Sequence, residues 1–176
     1  MSDSGRIFDE LLVLSVQFGD RKALERLAAR WQPRLLRSAR RFTGDEEMAW
    51  DAVQDSWLGI ARGISRLRDP AKFPGWAFAI LRRRCAERVN ARAAHRSRSD
   101  ALDERNEPAA NARGEDRAAI AQAFARLPEE QRVAATLFFV EQLKLDEIAV
   151  ATDAPLGTVK SRIFAARKSL KAVLGA

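Results

Sequence analysis

The stretch LDEIAVATDAPLGTVKSRIFAARKSL, residues 145–170, decides the fold of this chain. Two helix-forming segments, about 145–152 and 156–174, are separated by Asp153-Ala154-Pro155, a combination that favours a turn. In the second segment the apolar side chains recur at helical spacing and predict one buried face, formed by Val159, Ile163, Ala166 and Leu170. Two short helices joined by a tight turn, the second of them basic, predict a helix-turn-helix.

The outward side and edges of the second predicted helix carry groups that suit DNA. Arginine and serine can bond base edges in a major groove, an aromatic ring can contact a thymine methyl, and lysines can reach phosphates. A solvated cationic helix would show the same pattern, so the preceding helix and turn are what favour DNA. This side carries Thr158, Ser161, Ala165 and Lys168, with Arg162 and Phe164 at its edges and Lys160, Arg167 and Lys171 at its flanks.

Charge is unevenly distributed along the rest of the chain. The net charge is +7 and the pI about 10.4, which indicates an anionic partner, either nucleic acid or a membrane surface. Residues 82–98 contain seven arginines and one acid, and residues 158–171 contain five cations and no acid. Residues 45–55 instead contain five carboxylates and no base. The chain therefore has two basic patches and one acidic patch.

The counts of reactive residues exclude several kinds of site. With one cysteine and one histidine, neither an intrachain disulfide nor a Cys/His zinc site can form, and there is no glycine-rich phosphate loop. We therefore predict no metal, no cofactor and no enzymatic activity, and we predict that Cys85 is a small buried residue. The longest apolar runs, Leu11–Val16 and Val133–Val140, are too short to span a bilayer, and residues 1–10 lack a signal-peptide core. These features predict a cytoplasmic chain without membrane insertion.

The pattern predicts an all-α fold with two small helical domains joined by a flexible linker. Helix formers are abundant, and no stretch alternates with a period of two. The predicted limits are 1–92 for the first domain, 93–116 for a polar linker, and 117–176 for the domain with the helix-turn-helix. Within the first domain, Pro33 is expected to start a new helix.

Two predicted helices of the first domain each have an exposed face whose role can be interpreted in two ways. The helix 45–62 carries an acidic face, which is either simply solvated or a docking surface for a basic protein. The helix 74–92 carries Trp76 beside arginines. This is the pattern of a stacking platform for single-stranded nucleic acid, but Trp76 could equally pack beneath the loop 67–73.

Several short motifs occur in a fixed order along the chain. They are Asp51-Ala-Val-Gln-Asp55, Phe73-x-x-Trp76, the stretch Ile80 to Arg84, Leu127-Pro-Glu-Glu-Gln-Arg132, Glu147-Ile-Ala149 and Gly157-Thr-Val-Lys-Ser-Arg162. In this order and spacing, from about Glu10 to Leu174, the chain closely resembles the extracytoplasmic-function sigma factors, a group of bacterial transcription initiation factors. Arg83, Lys144 and Pro74-Gly75 depart from the usual pattern of that family.

The resemblance implies a role for each face. The acidic helix, which belongs to the first conserved domain of the family, called region two, would bind core RNA polymerase through Asp51, Gln54, Asp55 and Leu58. The following loop and helix would melt the minus-ten promoter element and hold a flipped base through Lys72, Phe73, Trp76, Arg82, Arg83, Arg84 and Arg88. The helix-turn-helix, which belongs to the second domain, called region four, would read the minus-thirty-five element through Thr158, Lys160, Ser161, Arg162, Phe164 and Lys168.

The implied partners are core RNA polymerase, promoter DNA as duplex and as melted single strand, and an anti-sigma factor. The expected function is to direct core polymerase to specific promoters and to initiate transcription there. Two alternatives remain at this point. One is a decoy that occupies an anti-sigma factor without directing transcription, and the other is a stand-alone DNA-binding regulator. A degenerate acidic face or recognition helix would favour the decoy, and both look intact.

Overall fold

The computed structural model describes residues 3–98 and 115–174, and the regular elements in these ranges are all helical. Domain one, residues 3–98, consists of α1 (Asp3–Gln17), α2 (Arg21–Thr43), α3 (Glu46–Gly63) and α4 (Phe73–Arg98). Domain two, residues 115–174, consists of α5 (Glu115–Ala125), α6 (Glu129–Ala135), α7 (Leu145–Thr152) and α8 (Leu156–Leu174). Two 3₁₀ turns, Ile64–Arg66 and Pro70–Lys72, lead from α3 to α4, and a π-helical turn, Thr136–Val140, follows α6. The predicted all-α, two-domain fold is confirmed.

The helix-turn-helix forms where the sequence predicts it. Asp153 ends α7 in the left-handed conformation with φ 49°, which aspartate tolerates better than most residues. At the start of α7 the side chain of Glu147 accepts the backbone N–H of Lys144 at 2.6 Å. Glu147 thus supplies a cap to the helix even though Lys144 replaces the usual small hydroxyl residue.

The helix α2 contradicts the prediction that Pro33 starts a new helix. Asp20 caps α2 by accepting the backbone N–H of Lys22 at 2.8 Å, and the helix continues through Pro33 until Gly44, whose φ is 69°. A proline inside a helix costs about 3 kcal/mol. The buried side chains on both sides of it, Leu27, Trp31 and Leu35, offset this cost because they share one apolar stripe.

The linker predicted over residues 93–116 is helical at both ends. The helix α4 continues to Arg98, and α5 begins at Glu115. Alanine and arginine dominate residues 91–94, and both favour helix strongly. Arg92 also forms an ion pair with Asp45, which holds this part of α4 against the start of α3. Residues 99–114 lie outside the described residues, so the limits of the linker stay a prediction.

The core of domain one is built around aromatic rings. Trp31 of α2 meets Phe73 edge to face, with ring centroids 5.0 Å apart, and Phe78 at 6.0 Å. The apolar stripes predicted for α3 and α4 are buried against this centre, including Val53, Ile60, Leu81 and Cys85. The buried residues of α7 and the start of α8 join the same cluster, so domain two packs directly against domain one.

Domain two has a second, smaller core of its own. Phe124 of α5 and Leu127, two residues after that helix ends, pack with Ala166 and Leu170 of α8. In the ranges that the structure describes, no helix combines the length and apolar character needed to cross a membrane.

Candidate nucleic-acid interface

The helix α8 separates a buried face from an exposed one as predicted. Val159 and Ala166 are fully buried, and Ile163 and Leu170 nearly so. On the other side the Phe164 ring is 71% exposed. Lys160, Ser161 and Lys168 are exposed beside it, and Thr158 is half-buried. The structure therefore brings these predicted DNA-contacting residues to one accessible surface.

Arg162 differs from its neighbours on α8 because it already has a partner. Its Nη1 lies 2.9 Å from Oε2 of Glu130 on α6, an ion pair without hydrogen-bond alignment, and the side chain is 25% exposed. A base contact by Arg162 would replace this ion pair. This pair could not be predicted from local pattern, since Glu130 lies 32 residues earlier in the chain.

The acidic face of α3 is outward, as predicted, but it is partly neutralised within the chain. Gln54 and Leu58 are exposed, with Leu58 at 55%. Arg88 of α4 bridges the two carboxylates, with Nη1 3.0 Å from Asp51 and Nη2 2.5 Å from Asp55. The hydrogen bond to Asp55 is the main cause that raises the pKa of Arg88. Arg88 was predicted to contact minus-ten DNA, and the structure instead brings it to the predicted polymerase-binding set.

An exposed tryptophan, Trp50, extends the acidic face and was missed by sequence reasoning. Its side chain is 42% exposed, and its indole N–H donates to Glu46 at 3.1 Å. Glu46 in turn accepts two hydrogen bonds from Arg40, at 2.5 and 2.6 Å. The helical spacing of Trp50 and Gln54, four residues apart, is the signal that could have placed Trp50 on this face.

Phe73 is not an available DNA contact in this structure, which corrects the prediction. The ring is 1% exposed and packs against Trp31 inside domain one. The sequence showed an aromatic residue at the start of a helix, but only the packing of α2 against α4 reveals which way the ring points. Its neighbour Trp76 is half-buried, 6.1 Å from Phe73 between ring centroids.

Trp76 combines the two readings that the sequence left open. A Cβ added at Gly63 would lie 2.9 Å from the Trp76 ring, so the indole rests on the backbone at the end of α3. The ring is therefore packed beside the loop to α4, and part of it remains accessible. Lys72, just before α4, is exposed and lies 3.7 Å from Asp146 of α7.

The arginine run at the centre of α4 does not form one continuous cationic surface. Arg82 pairs with Glu130 at 3.3 Å, Arg84 pairs with Glu87 at 2.8 Å, and Arg83 is exposed. Three successive residues of a helix point in different directions, so a run of like charges in sequence is divided in space. The structure does not bring Arg82, Arg83, Arg84 and Arg88 together with Trp76 as one set.

Sequence reasoning also missed two buried carboxylates of domain two. Glu141 is 2% exposed and Glu147 is 5% exposed. Both are held by arginines of domain one, Glu141 by Arg34 and Arg37 of α2 and Glu147 by Arg6 of α1. A buried carboxylate requires charged or polar partners, but the sequence alone does not say where those partners lie.

Cys85 is the small buried residue that the sequence predicts. It is 2% exposed on α4, and burial raises the pKa of its thiol to about 12. The thiol therefore stays protonated at neutral pH and lacks the thiolate character that a nucleophile needs.

Comparison with known proteins shows that these surfaces lie in two domains that match known family models. The family model of sigma-70 region 2 matches residues 27–95, and that of sigma-70 region 4 matches residues 117–170. The first match contains α3 and most of α4, and the second contains the helix-turn-helix. The two matches define a sigma factor of the sigma-70 class.

Individual relatives cover nearly the whole chain. The RNA polymerase sigma-H factor of Pseudomonas aeruginosa is 31% identical over 94% of this chain and 93% of that protein. The ECF RNA polymerase sigma-E factor of Salmonella typhimurium is 32% identical over 95% of this chain and 94% of that protein. A solved structure, the sigma factor RpoE from Bartonella quintana in complex with the anti-sigma factor NepR, has the same fold. Its TM-score is 0.75 at 22% identity, over 88% of this chain and 98% of that one.

This chain belongs to the extracytoplasmic-function (ECF) sigma factors. It is a promoter-directing sigma factor of RNA polymerase, a regulator of transcription initiation. The family resemblance inferred from the motifs is confirmed.

Proposed function

We propose that three helices of this sigma factor divide polymerase binding and promoter recognition among them, with α8 reading the minus-thirty-five element. The observation that carries this assignment is the outward face of α8, where an exposed aromatic ring lies beside exposed lysines and a serine. Phe164 would contact a thymine methyl, Ser161 and Arg162 would bond base edges, and Thr158, Lys160 and Lys168 would position the helix on the backbone.

The acidic face of α3 is the proposed binding surface for core polymerase. Asp51 and Asp55 supply negative charge, and exposed Gln54 and Leu58 supply polar and apolar contact beside them. Charge complementarity of this kind steers association with a basic partner surface. Arg88 would then orient the two carboxylates rather than contact DNA.

The start of α4 is the proposed minus-ten site. Trp76 supplies a partly accessible aromatic surface on which an extruded base could stack, and Lys72 and Arg83 are exposed cations for the backbone. Arg82 and Arg84 would contribute after leaving their ion pairs with Glu130 and Glu87. Phe73 would support Trp76 from below.

The remaining assignments follow from membership of the family. We place the polymerase-binding and minus-ten functions in residues 1–92 and the minus-thirty-five function in residues 117–176, joined by the segment 93–116. The chain would act in the cytoplasm, where bacterial polymerase works, without catalytic activity or cofactor. Because the related RpoE structure is a complex with an anti-sigma factor, we propose a protein of that kind as an additional partner.

Binding to core polymerase tests the α3 assignment. The double variant Asp51→Asn, Asp55→Asn and the single variant Leu58→Ala are titrated against core enzyme, with Glu25→Gln, Glu129→Gln as a control that removes two exposed carboxylates elsewhere. If these residues include interface hot spots, worth about 2 kcal/mol or more each, core binding weakens at least tenfold. Binding equal to that of the control would refute the assignment.

A further inference from the structure

The helix α1 has apolar side chains on two opposite sides. One side, which includes Leu12 and Val13, is buried in the core of domain one. A surface helix normally has polar residues on its other side, and a helix that is apolar on both sides is normally covered on both. The outer side of α1 instead exposes a second apolar row, which we call the outer stripe. Its members are Ile7, Leu11, Leu14 and Phe18.

The outer stripe is continuous over about three turns of helix. Its members are spaced by four, three and four residues, so their side chains lie within about 60° of one another around the helix axis. Phe18 follows the last residue of α1 but still donates its backbone N–H to Leu14 at 3.0 Å, which extends the helical spacing to it. Its ring is 89% exposed. A contiguous row of exposed apolar side chains is typical of a surface that another molecule covers.

The spacing of the outer stripe matches that of helices that pair side by side. Alternating steps of four and three residues are the pattern of a coiled-coil seam. The order four, three, four is also the same in both directions along the chain, so the stripe is symmetric about its midpoint. Two copies packed antiparallel about a twofold axis would bring Ile7 of each against Phe18 of the other. The same arrangement brings Leu11 against Leu14.

The charges near the two ends of α1 favour the antiparallel arrangement. Asp3 is exposed in the first turn, and Arg21 and Lys22 are exposed at the start of α2, just after α1 ends. Asp20 lies between them and caps α2 by accepting backbone N–H groups. In an antiparallel pair the acidic start of one helix lies near the basic residues that follow the other, whereas a parallel pair brings like charges together.

Other occupants fit the outer stripe less well. Nucleic acid and an anionic membrane surface both require cations beside the apolar residues. The exposed residues of α1 include Asp3 and contain no lysine or arginine. The segment 99–114, which lies outside the described residues, has Leu102 as its one large apolar side chain and cannot supply a matching row.

We propose that the outer stripe of α1 is an interaction surface for a second copy of this chain, with the two α1 helices packed antiparallel. The stripe is only about 16 Å long. The pair therefore covers less than the roughly 800 Å² per partner of a standard protein interface. The dimer should be weak, with a Kd of about 10 μM or higher, so that it forms in concentrated solution and dissociates on dilution.

Analytical ultracentrifugation of the full-length chain tests the association. The average mass should rise from that of one chain toward that of two as the concentration increases through and well above the micromolar range. The double variant Leu11→Glu, Leu14→Glu brings like charges together in the middle of the pair and should raise Kd at least about tenfold.

A matched control separates the effect of the stripe from that of added charge. The double variant Ile120→Glu, Val150→Glu makes the same changes at two exposed apolar residues of domain two and should associate as wild type does. Circular dichroism establishes that each variant is folded, as expected for changes at exposed positions.

Cysteine cross-linking tests the direction of the two helices. Ile7→Cys and Phe18→Cys proteins are mixed in equal amounts and treated with oxidised glutathione, and the native Cys85 does not compete because it is buried. The antiparallel pair brings residues 7 and 18 of different copies within reach of a disulfide and keeps the two copies of residue 7 about 16 Å apart. The mixed disulfide should exceed either single-variant disulfide at least about tenfold. Ile7→Cys mixed with Val150→Cys should show only the statistical excess of mixed pairs.

Three results would overturn the proposal. One is a wild-type chain that stays monomeric throughout the concentration range, and another is association that the Leu11→Glu, Leu14→Glu variant leaves unchanged. The third is a predominant disulfide between two copies of Ile7→Cys, which would show that the helices pair in parallel.

Discussion

The helices α8 and α4 were both predicted to contact DNA, but in the structure their predicted DNA-contacting residues differ in accessibility. On α8 the predicted face is outward, and of its members only Arg162 forms an ion pair with another part of the described chain. On α4 one predicted residue, Phe73, is in the core, and Arg82, Arg84 and Arg88 are paired with acids. The proposed recognition face of α8 is thus accessible before DNA arrives, whereas the proposed minus-ten site of α4 would first have to exchange internal partners.

The difference follows from where the two helices lie in their domains. One side of α8 packs on α5, α6 and α7, and the periodicity of its own sequence predicts which side remains exposed. In contrast, α4 is packed against α2, α3 and α7, so its accessible surface depends on residues far away in sequence. Local pattern predicts the first case well and the second case poorly.

The largest expected effect is on the free energy of unfolding and concerns Phe73 and Phe164, both of which were predicted from the sequence to contact DNA. Phe73→Ala should lower the free energy of unfolding by about 3–5 kcal/mol, because it removes a ring from the core. Phe164→Ala should change it by less than about 0.5 kcal/mol, because its ring is exposed. Urea unfolding followed by circular dichroism measures both. Equal losses of stability would contradict the contrast between the two helices.

The next effect concerns base readout by α8. Arg162→Ala should reduce discrimination between promoter and unrelated sequences by about 1–3 kcal/mol, if the guanidinium makes a bidentate base contact. The measurement is a competition assay with holoenzyme on promoter fragments carrying single substitutions in the minus-thirty-five element. An equal loss of affinity for every sequence would show that Arg162 contacts only the DNA backbone.

A lysine on the same helix should behave differently from Arg162. Lys168→Ala should weaken binding by a similar factor on all DNA sequences, because it is expected to contact phosphate. The dependence of log affinity on log salt concentration should become shallower by about one unit. A change in sequence preference with an unchanged salt slope would show that Lys168 reads bases instead.

The smallest expected effect concerns the free energy that an exposed ion pair contributes to domain one. This contribution must be small if Arg84 is to leave Glu87 and contact DNA. The Arg40 hydrogen bonds lower the pKa of Glu46, so this pair stabilises the fold above the ordinary carboxyl pKa and loses its effect as pH falls. Because both side chains are about half exposed, the contribution at neutral pH should be roughly 0.2–1 kcal/mol.

Comparison of wild type with Glu46→Gln in urea unfolding checks this value. The difference in unfolding free energy should be small near neutral pH, should decline as the pH falls below the ordinary glutamate pKa of about 4.3, and should vanish only below the lowered pKa of Glu46 in the folded protein. A large difference, or one that persists in acid, would mean that exposed ion pairs in this domain hold their arginines firmly. The proposed exchange of Arg84 to DNA would then be costly.

The sequence predicted the all-α fold, the exact bounds of the helix-turn-helix and the buried stripe of α8, because each depends on local periodicity and turn residues. It failed at Pro33, where tertiary packing across the stripe of α2 outweighs the local signal. It also failed at Phe73, whose direction is set by Trp31. The ion pairs of Glu130, Glu141 and Glu147 could not be predicted, since each joins residues at least 32 positions apart.

Transcription in vitro with core polymerase tests the central claim most directly. Wild-type protein and the Arg162→Ala variant are each combined with core enzyme on a library of genomic fragments, and the start sites are mapped. The account predicts discrete start sites that share a minus-thirty-five element with wild type, and relaxed or lost selection at that element with Arg162→Ala. The same start sites and the same upstream sequences for both proteins would contradict the assignment of minus-thirty-five recognition to the outward face of α8.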